Sequence, residues 1–479
     1  MPHKVSRNIA ALLTSRVLAS ILVALGYFSI SRYLGTYMFG QQQFVLAYVM
    51  LFSVVVDFGI QQYVIKKVSE NKEEGERYLG HFFATEFVLA LFLWLLLSAI
   101  AIAAHYDAVV RNAIIFAGFG MFLNALTIPH TSILSAHEDM EILAKVNFLD
   151  SIVNVAVMFS AIAFHFHVFY LVSVQFINGI IHWFIYKKMI KPYVPQPRLL
   201  HYLSQLDFGL VKKMLVAALP FGMLLGFSIV YNKIDIILLR AMRGYADTGL
   251  YAAAYKFVDF LAFVPAVVSS SLFPFFSSQI KAGNRDEARF ALENYTRYMI
   301  AFGVPVALGG TLVARRLILL FGGNAYLAGA PALAILVFAS GILFSYSAVN
   351  SIMINQLTKT AVKVTFANIF INVIGNLILI PRLGIKAAAI MTVVSESTQA
   401  ILYFYFVRSK IMKFSFARNI WVPLIAGVIM CAALWHVRDM TLLLTIPLGA
   451  AVYGCALLLF RYFNRQDLAG LMRVLRRQA

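Results

Sequence analysis

The sequence predicts an all-α polytopic membrane protein with about 14 transmembrane helices. Of its 479 residues, 61% are hydrophobic and only 13% are charged, whereas soluble proteins carry about 25% charged residues. The apolar residues fall in long blocks, and a helix needs about 20 of them to span a bilayer. Because only short polar turns separate these blocks, the sequence leaves little room for a soluble domain.

The candidate spans follow one another along the whole chain. The first begins in a short basic N-terminus and continues without a small-residue cleavage site, so we expect a span and not a signal peptide. The predicted spans start near the following residues: Asn8, Gln41, Tyr78, Val109, Met140, His167, Val211, Thr248, Ala291, Tyr326, Thr360, Lys386, Phe416 and Met440.

The distribution of basic residues predicts which side of the membrane each loop faces. With the N-terminus inside, most of the 40 Lys and Arg residues fall in inside loops, as the positive-inside rule expects. An even number of spans returns the C-terminus to the same side, so both termini are predicted to be cytoplasmic. The chain has a net charge of +19, but because most of its basic residues lie in loops on one side of the membrane, we expect no nucleic acid partner.

The two halves of the chain resemble each other at fixed offsets. The segment Lys145–Phe148 matches Lys363–Phe366 at an offset of 218 residues, and Arg32–Gly40 parallels Arg240–Gly249 near an offset of 209. Because six spans separate the copies, both have the same membrane orientation. This indicates a parallel repeat with its twofold axis along the bilayer normal, and in transporters such halves bracket a central substrate site.

The repeat and the loop composition together predict five regions. A linker is indicated by Pro192, Pro195 and Pro197, because proline interrupts a continuous helix. The predicted regions are an N-terminal lobe of spans 1–6 at 1–190, a basic cytoplasmic linker at 191–210, a C-terminal lobe of spans 7–12 at 211–410, spans 13 and 14 at 411–463, and a basic cytoplasmic tail at 464–479.

Ionisable side chains within the spans are the candidate functional residues, because a charge in the bilayer is costly unless it is paired or faces water. Lys256 and Asp259 are spaced i, i+3 and could pair on one helix face. A cavity lined by cations would suit a diphosphate. The predicted substrate-binding residues are Arg16, Lys233, Lys256, Arg240 and Arg32. The acids predicted to couple ions or to pair with these cations are Asp57, Asp150, Asp235, Asp259 and Glu396.

The sequence contains no pattern that indicates catalysis or a resident cofactor. The histidines are scattered without metal-ligand spacing, and no glycine-rich phosphate-binding motif followed by Lys-Ser or Lys-Thr is present. Cys431 and Cys455 lie in apolar runs and are expected to be core residues and not a disulfide. We therefore expect a transporter without a metal, driven by an H⁺ or Na⁺ gradient, by the membrane potential or by downstream consumption of its substrate.

Several short segments together are typical of one transporter superfamily. They are Arg32–Gly35 with Phe39–Gly40, Asp57–Gly59, Asp235–Leu239, Gly249–Lys256 and Leu272–Phe275. In these segments the chain resembles the multidrug/oligosaccharidyl-lipid/polysaccharide (MOP) exporter superfamily, and more narrowly its Wzx-type oligosaccharide flippases. The resemblance covers nearly the whole chain.

This resemblance implies a fold and a function. The implied fold has two pseudo-twofold-related six-helix lobes in a V and two further C-terminal helices. The implied activity moves an undecaprenyl-diphosphate-linked oligosaccharide from the cytoplasmic to the outer leaflet of a bacterial inner membrane, by alternating access, for O-antigen or other surface polysaccharide. A polysaccharide polymerase and a chain-length regulator are the implied protein partners.

Three alternatives stay open at this point. Ser15–Leu18 is similar to the start of the lipid II flippases, but Leu22 and Val23 stand where that family has an Arg-Asp pair. Multidrug exporters of the same superfamily bind cationic drugs through acids, whereas span 1 here carries Arg16 and no acid, which favours an anionic substrate. The third alternative is a non-transporting scaffold for a membrane glycan assembly complex.

Overall fold

The computed structural model describes residues 2–195, 199–204, 206–415, 420–437 and 440–463. The predicted tail at 464–479 lies outside these residues. Within them, seventeen α-helices and no β-strand are found. Their bounds are α1 Pro2–Asp57, α2 Ile60–Glu70, α3 Gly75–Ala103, α4 Ala108–Ala125, α5 Ile128–Ala136, α6 Met140–Ala163, α7 Val168–Val172, α8 Val174–Met189, α9 Leu199–Ser204, α10 Phe208–Arg243, α11 Tyr245–Lys281, α12 Arg285–Gly322, α13 Ala330–Gln356, α14 Thr358–Leu383, α15 Ile385–Lys410, α16 Trp421–His436 and α17 Leu442–Leu459.

The predicted fold class is confirmed. Among the described residues, 11 helical segments are long and apolar enough to cross a membrane. The first of them, Leu22–Glu70, contains predicted span 2 and the last part of predicted span 1, and α1 covers the start of span 1 near Asn8. Helix α11 adds 37 residues at span 8, and the shorter apolar helix α16 coincides with span 13. Each predicted span therefore coincides with a helical segment, and the chain is a multi-pass membrane protein.

The internal repeat is visible in the backbone at two glycines. Gly35 interrupts α1 with φ 68° and ψ 177°, and Gly244 separates α10 from α11 with φ 87° and ψ −176°. These two residues are 209 residues apart, which is the offset predicted from the sequence. L-residues rarely adopt this conformation, so the same turn requires glycine in both copies.

A second pair of glycines, Gly40 on α1 and Gly249 on α11, marks the place where the two copies of the repeat cross. A Cβ atom added to Gly40 would lie 1.8 Å from the carbonyl oxygen of Tyr245, and one added to Gly249 would lie 2.0 Å from that of Thr36. Gly40 and Gly249 are 209 residues apart, and so are Thr36 and Tyr245. The contact is therefore symmetric, with each backbone packed directly on the other.

Replacing Gly249 by alanine is expected to destabilise the protein by about 1–3 kcal/mol, the usual cost of overpacking. This cost outweighs the gain in helix propensity, which is about 1 kcal/mol for Gly→Ala. The matched control is Gly454→Ala, because nothing lies within 4 Å of a Cβ atom added there. Thermal unfolding of the purified proteins in detergent measures the effect. Equal unfolding midpoints for the two variants would refute the tight crossing.

The helices pack into two compact units. The first contains residues up to Ala253 together with Phe321–Tyr326 and Thr358–Ala388, and the second contains Ala254–Leu320, Leu327–Leu357 and the chain from Ala389 onward. The apolar core around Ile60, Tyr78 and Met214 holds the first unit together. In the second unit, a core around Met430 and Tyr453 joins α12, α16 and α17. The predicted lobe boundaries at 190 and 211 stay a prediction.

Asp207, near the end of the predicted linker, connects the start of α10 with α3. The Asp207 carboxylate accepts a hydrogen bond of 3.1 Å from the backbone N–H of Leu210 and another of 3.1 Å from Arg77. The Leu210 N–H, and to a smaller extent the Arg77 guanidinium, lower the pKa of Asp207. Because an ionised carboxylate caps the helix N-terminus well, this residue fixes where α10 begins.

Candidate functional site

A buried carboxylate, Asp235, lies at the centre of a polar cluster in the first unit. Its side chain on α10 is 4% exposed. One carboxylate oxygen accepts a 2.8 Å hydrogen bond from the hydroxyl of Tyr251 on α11, and the other accepts a 2.8 Å bond from the amide of Asn376 on α14. A buried carboxylate is costly without such donors. Three helices are therefore joined at one acidic side chain.

The α14 side of this cluster is a row of asparagines. Asn368, Asn372 and Asn376 recur every four residues, so they share one helix face, and all three are buried. Asn376 donates to Asn372 Oδ1 at 3.0 Å, while its own Oδ1 is buried without a hydrogen-bond partner among the described residues. Carboxylate and amide oxygens are the ligands of hard cations. The cluster has the chemistry to hold a proton or a small cation such as Na⁺.

The two cations of α10 have different surroundings. Lys233 is half-buried. The guanidinium carbon of Arg240 lies 4.4 Å from the ring centroid of Tyr106, 5.1 Å from that of Tyr245 and 5.2 Å from that of Phe44. It also donates to the Tyr245 hydroxyl at 3.2 Å. Cation–π contacts on three sides hold the Arg240 side chain against the protein.

The surroundings of the other predicted substrate-binding cations say less about a binding role. The side chain of Arg16 lies outside the described part of the structure, and Arg32 is exposed. In the second unit, Lys256 Nζ lies 3.7 Å from Asp259 Oδ2, with 15% and 41% of the two side chains exposed. This ion pair neutralises Lys256 on its own helix. Binding roles for all of these residues stay predictions.

The remaining predicted acids each contact a different element. In the second unit, Glu396 on α15 is buried and accepts a 2.6 Å hydrogen bond from the Tyr346 hydroxyl on α13. In the first unit, Asp150 on α6 lies 2.7 Å from Nε2 of His182 on α8. Asp57 ends α1 and accepts a 2.9 Å bond from the backbone N–H of Gln61. The acids thus belong to separate sites and not to one cluster.

Asp57 stands at a break inside predicted span 2. Phe58 has φ 42° and Gly59 has φ 80°, so two successive left-handed residues separate α1 from α2. A Cβ atom on Gly59 would lie 2.7 Å from the backbone nitrogen of Gly222 on α10, so the break packs directly against that helix. Irregular backbone at membrane depth is tolerated where protein covers it or where it lines a cavity.

Sequence reasoning missed several residues of these sites. Asn372 matches Asn154 at the repeat offset of 218, but nothing in the sequence links Asn376 with Asp235. The histidines are scattered without a spacing pattern, so nothing in the sequence marks His182 as the partner of Asp150. Glu86 on α3 is fully buried, and neither of its carboxyl oxygens has a hydrogen-bond partner in the described chain. An acid in an apolar span marks Glu86 in the sequence, in the first half of predicted span 3, but the sequence assigns it no role.

Comparison with known proteins connects this fold to glycan biosynthesis. A family model described as "Polysaccharide biosynthesis protein" matches residues 5–279. The "Probable flippase AglR" of Haloferax volcanii is 27% identical over 176 residues, which cover 36% of this chain and 37% of that protein. The chain spans between 37% and 53% of the length of the curated relatives that it matches.

Solved structures with low sequence identity share the fold. "Lipid II flippase MurJ, inward closed conformation" superposes with a TM-score of 0.78 and 15% identity, covering 94% of this chain and 98% of that chain. A multidrug resistance MATE family transporter of the MOP superfamily, inward-facing, gives a TM-score of 0.62 at 12% identity, covering 84% and 98%. The family match confirms the predicted resemblance to proteins of polysaccharide biosynthesis, and these likenesses confirm the predicted fold.

Proposed function

Because the chain belongs to the family of polysaccharide biosynthesis proteins, we propose that it is a flippase that carries a lipid-linked oligosaccharide across the membrane by alternating access. The proposed substrate is an undecaprenyl-diphosphate-linked oligosaccharide, moved from the cytoplasmic to the outer leaflet of a bacterial inner membrane. The product would supply O-antigen of lipopolysaccharide or another surface polysaccharide. A polysaccharide polymerase and a chain-length regulator are the proposed partners.

The observation that best supports a lipid-linked substrate is an apolar cavity in the second unit. It has a volume of about 630 Å³ and is lined by residues of α11, α12, α13, α16 and α17, none of them charged. Phe260, Phe302 and Met430 are typical of its walls. A soluble sugar would find few hydrogen-bond partners there, whereas part of an isoprenoid chain would bury apolar surface, at about 25 cal/mol per Å².

Lys233, together with Arg16, is the proposed contact for the diphosphate. Lys256 is paired with Asp259 at 3.7 Å, and Arg240 is enclosed by aromatic rings. Both of these cations are therefore less suited to bind a substrate that must also be released. An ammonium group within the membrane supplies a strong point charge for a phosphate.

Asp235 is the proposed coupling residue. Its carboxylate and the buried Oδ1 of Asn376 offer oxygen ligands within one cluster, which supports binding of Na⁺ or H⁺ during the transport cycle. The residues that hold the ion lie on α10 and α14, so its binding would bias the packing of these two helices. No resident cofactor is needed for this mechanism, and the chain would act as a transporter and not as an enzyme.

A deletion strain tests the proposed function in the cell. Loss of the gene is expected to trap lipid-linked glycan on the cytoplasmic leaflet and to stop surface polymer, and the gene supplied on a plasmid is expected to restore both. Sugar analysis of the trapped lipid would identify the glycan. Normal polymer with changed resistance to cationic drugs would instead identify a cation-coupled drug exporter and would refute the flippase.

A further inference from the structure

A groove in the second unit follows one face of α15 toward the C-terminal end of that helix. Its volume is about 430 Å³, and α15 contributes Ser397, Ala400, Ile401, Phe404, Tyr405 and Arg408. These positions recur at i, i+3, i+4, i+7, i+8 and i+11, so they form a continuous stripe along the helix. At 1.5 Å per residue the stripe is about 16 Å long.

The wall of the groove is apolar along most of its length. Ile401 and Tyr405 are 67% and 63% exposed. The ring centroids of Phe404 and Phe414 lie 5.8 Å apart. The two serines of the groove use their hydroxyls within their own helices. Ser397 donates to Val393 O at 2.7 Å, and Ser345 on α13 donates to Ile342 O at 2.7 Å. The wall therefore favours a hydrocarbon chain over a sugar.

The end of the groove is cationic. Arg408 is exposed in the last turn of α15, and no residue in the described ranges forms a salt bridge with it. Lys410 and Lys413 follow and are also exposed. The predicted topology puts this end on the cytoplasmic side, where anionic lipids attract basic residues near the membrane surface.

We propose that this groove binds an anionic phospholipid of the cytoplasmic leaflet, with its phosphate on Arg408 and one acyl chain along α15. The combination of a terminal cation and an apolar groove matches a headgroup joined to a chain. A free phosphate has no apolar part that could occupy the groove. A glycan would find both serine hydroxyls of the groove already hydrogen-bonded to the backbone. The site binds a lipid of the bilayer and is independent of the transported substrate.

Native mass spectrometry of the full purified chain tests this site. Phosphatidylglycerol and phosphatidylcholine with identical acyl chains are the lipid probes, and inorganic phosphate is the competitor. The wild-type protein is expected to retain phosphatidylglycerol at least tenfold better than phosphatidylcholine, even with millimolar inorganic phosphate present. Equal retention of the two lipids, or full displacement by inorganic phosphate, would overturn the proposal.

Two variants separate the headgroup contact from the chain contact. Arg408→Gln is expected to lower phosphatidylglycerol retention about tenfold and leave phosphatidylcholine unchanged, whereas Ile401→Ser is expected to lower both, because Ile401 is 67% exposed in the apolar wall. Arg382→Gln is the matched control, since Arg382 is exposed near the end of α14 and does not line the groove. Because Arg408 is exposed, its variant will fold. Retention by Arg408→Gln equal to that of the control would refute the site.

Discussion

The Asp235→Asn variant is expected to lose gradient-driven translocation at least tenfold. The substitution keeps the size of the side chain and removes the charge that the proposed coupling ion requires. An amide can still accept one of the two 2.8 Å hydrogen bonds from Tyr251 and Asn376, while the other donor faces an NH₂ group. Leaving that buried donor unsatisfied costs about 1–3 kcal/mol of stability.

Two readouts separate coupling from folding in this variant. Translocation in proteoliposomes is measured with and without an imposed Na⁺ or pH gradient, and the wild-type rate alone is expected to respond. Na⁺ is also expected to raise the unfolding temperature of the wild-type protein and not of the variant, if Na⁺ is the ion, because a ligand stabilises the state that binds it. Asp286→Asn is the control, since Asp286 is exposed in the first turn of α12. An equal gradient response in Asp235→Asn would exclude Asp235 as the coupling residue.

The Lys233→Gln variant is expected to reduce glycan translocation at least tenfold. A hydrogen bond to a charged group is worth about 1.5–3 kcal/mol, and about 1.4 kcal/mol corresponds to a tenfold change. Lys233 is half-buried on α10, so the loss of its ammonium group removes a charge from within a predicted span, where charges are rare and functional. Lys233→Arg is expected to keep a substantial part of the rate, because it keeps the charge.

Lys281→Gln is the matched control for this prediction. Lys281 ends α11 and is exposed, so its charge is screened by water. The initial rate of translocation is measured at several concentrations of lipid-linked glycan, because weaker binding raises the concentration needed for the half-maximal rate. Wild-type kinetics in Lys233→Gln would remove this residue from the proposed diphosphate site.

The sequence predicted the helical repeat because the same backbone turn needs glycine twice. Gly35 and Gly244 have nearly identical dihedral angles at the predicted offset of 209, and only glycine adopts them readily. The break at Phe58 and Gly59 was not predicted, although the segment Asp57–Gly59 was noted. An apolar block of span length gives no sign that its helix is interrupted, since the apolar pattern continues across the break.

The candidate site was predictable only in part. Asp235 was found because an acid in an apolar span is costly. Its partner Asn376 is 141 residues away, and pairing over such a separation depends on how α10 and α14 pack. Likewise, Arg240 looks like a substrate-binding cation in the sequence. Its three aromatic neighbours come from α1, α11 and the turn between α3 and α4, which no local pattern reveals.

Translocation by the purified chain alone tests the central claim most directly. The protein is reconstituted into vesicles that carry a labelled polyprenyl-diphosphate glycan in both leaflets, and an impermeant glycan-modifying enzyme is added outside. The account predicts that the enzyme reaches nearly all of the label in vesicles with wild-type protein, and much less within the same time in vesicles with Lys233→Gln. Modification confined to the outer leaflet in wild-type vesicles, as in protein-free ones, would contradict the flippase.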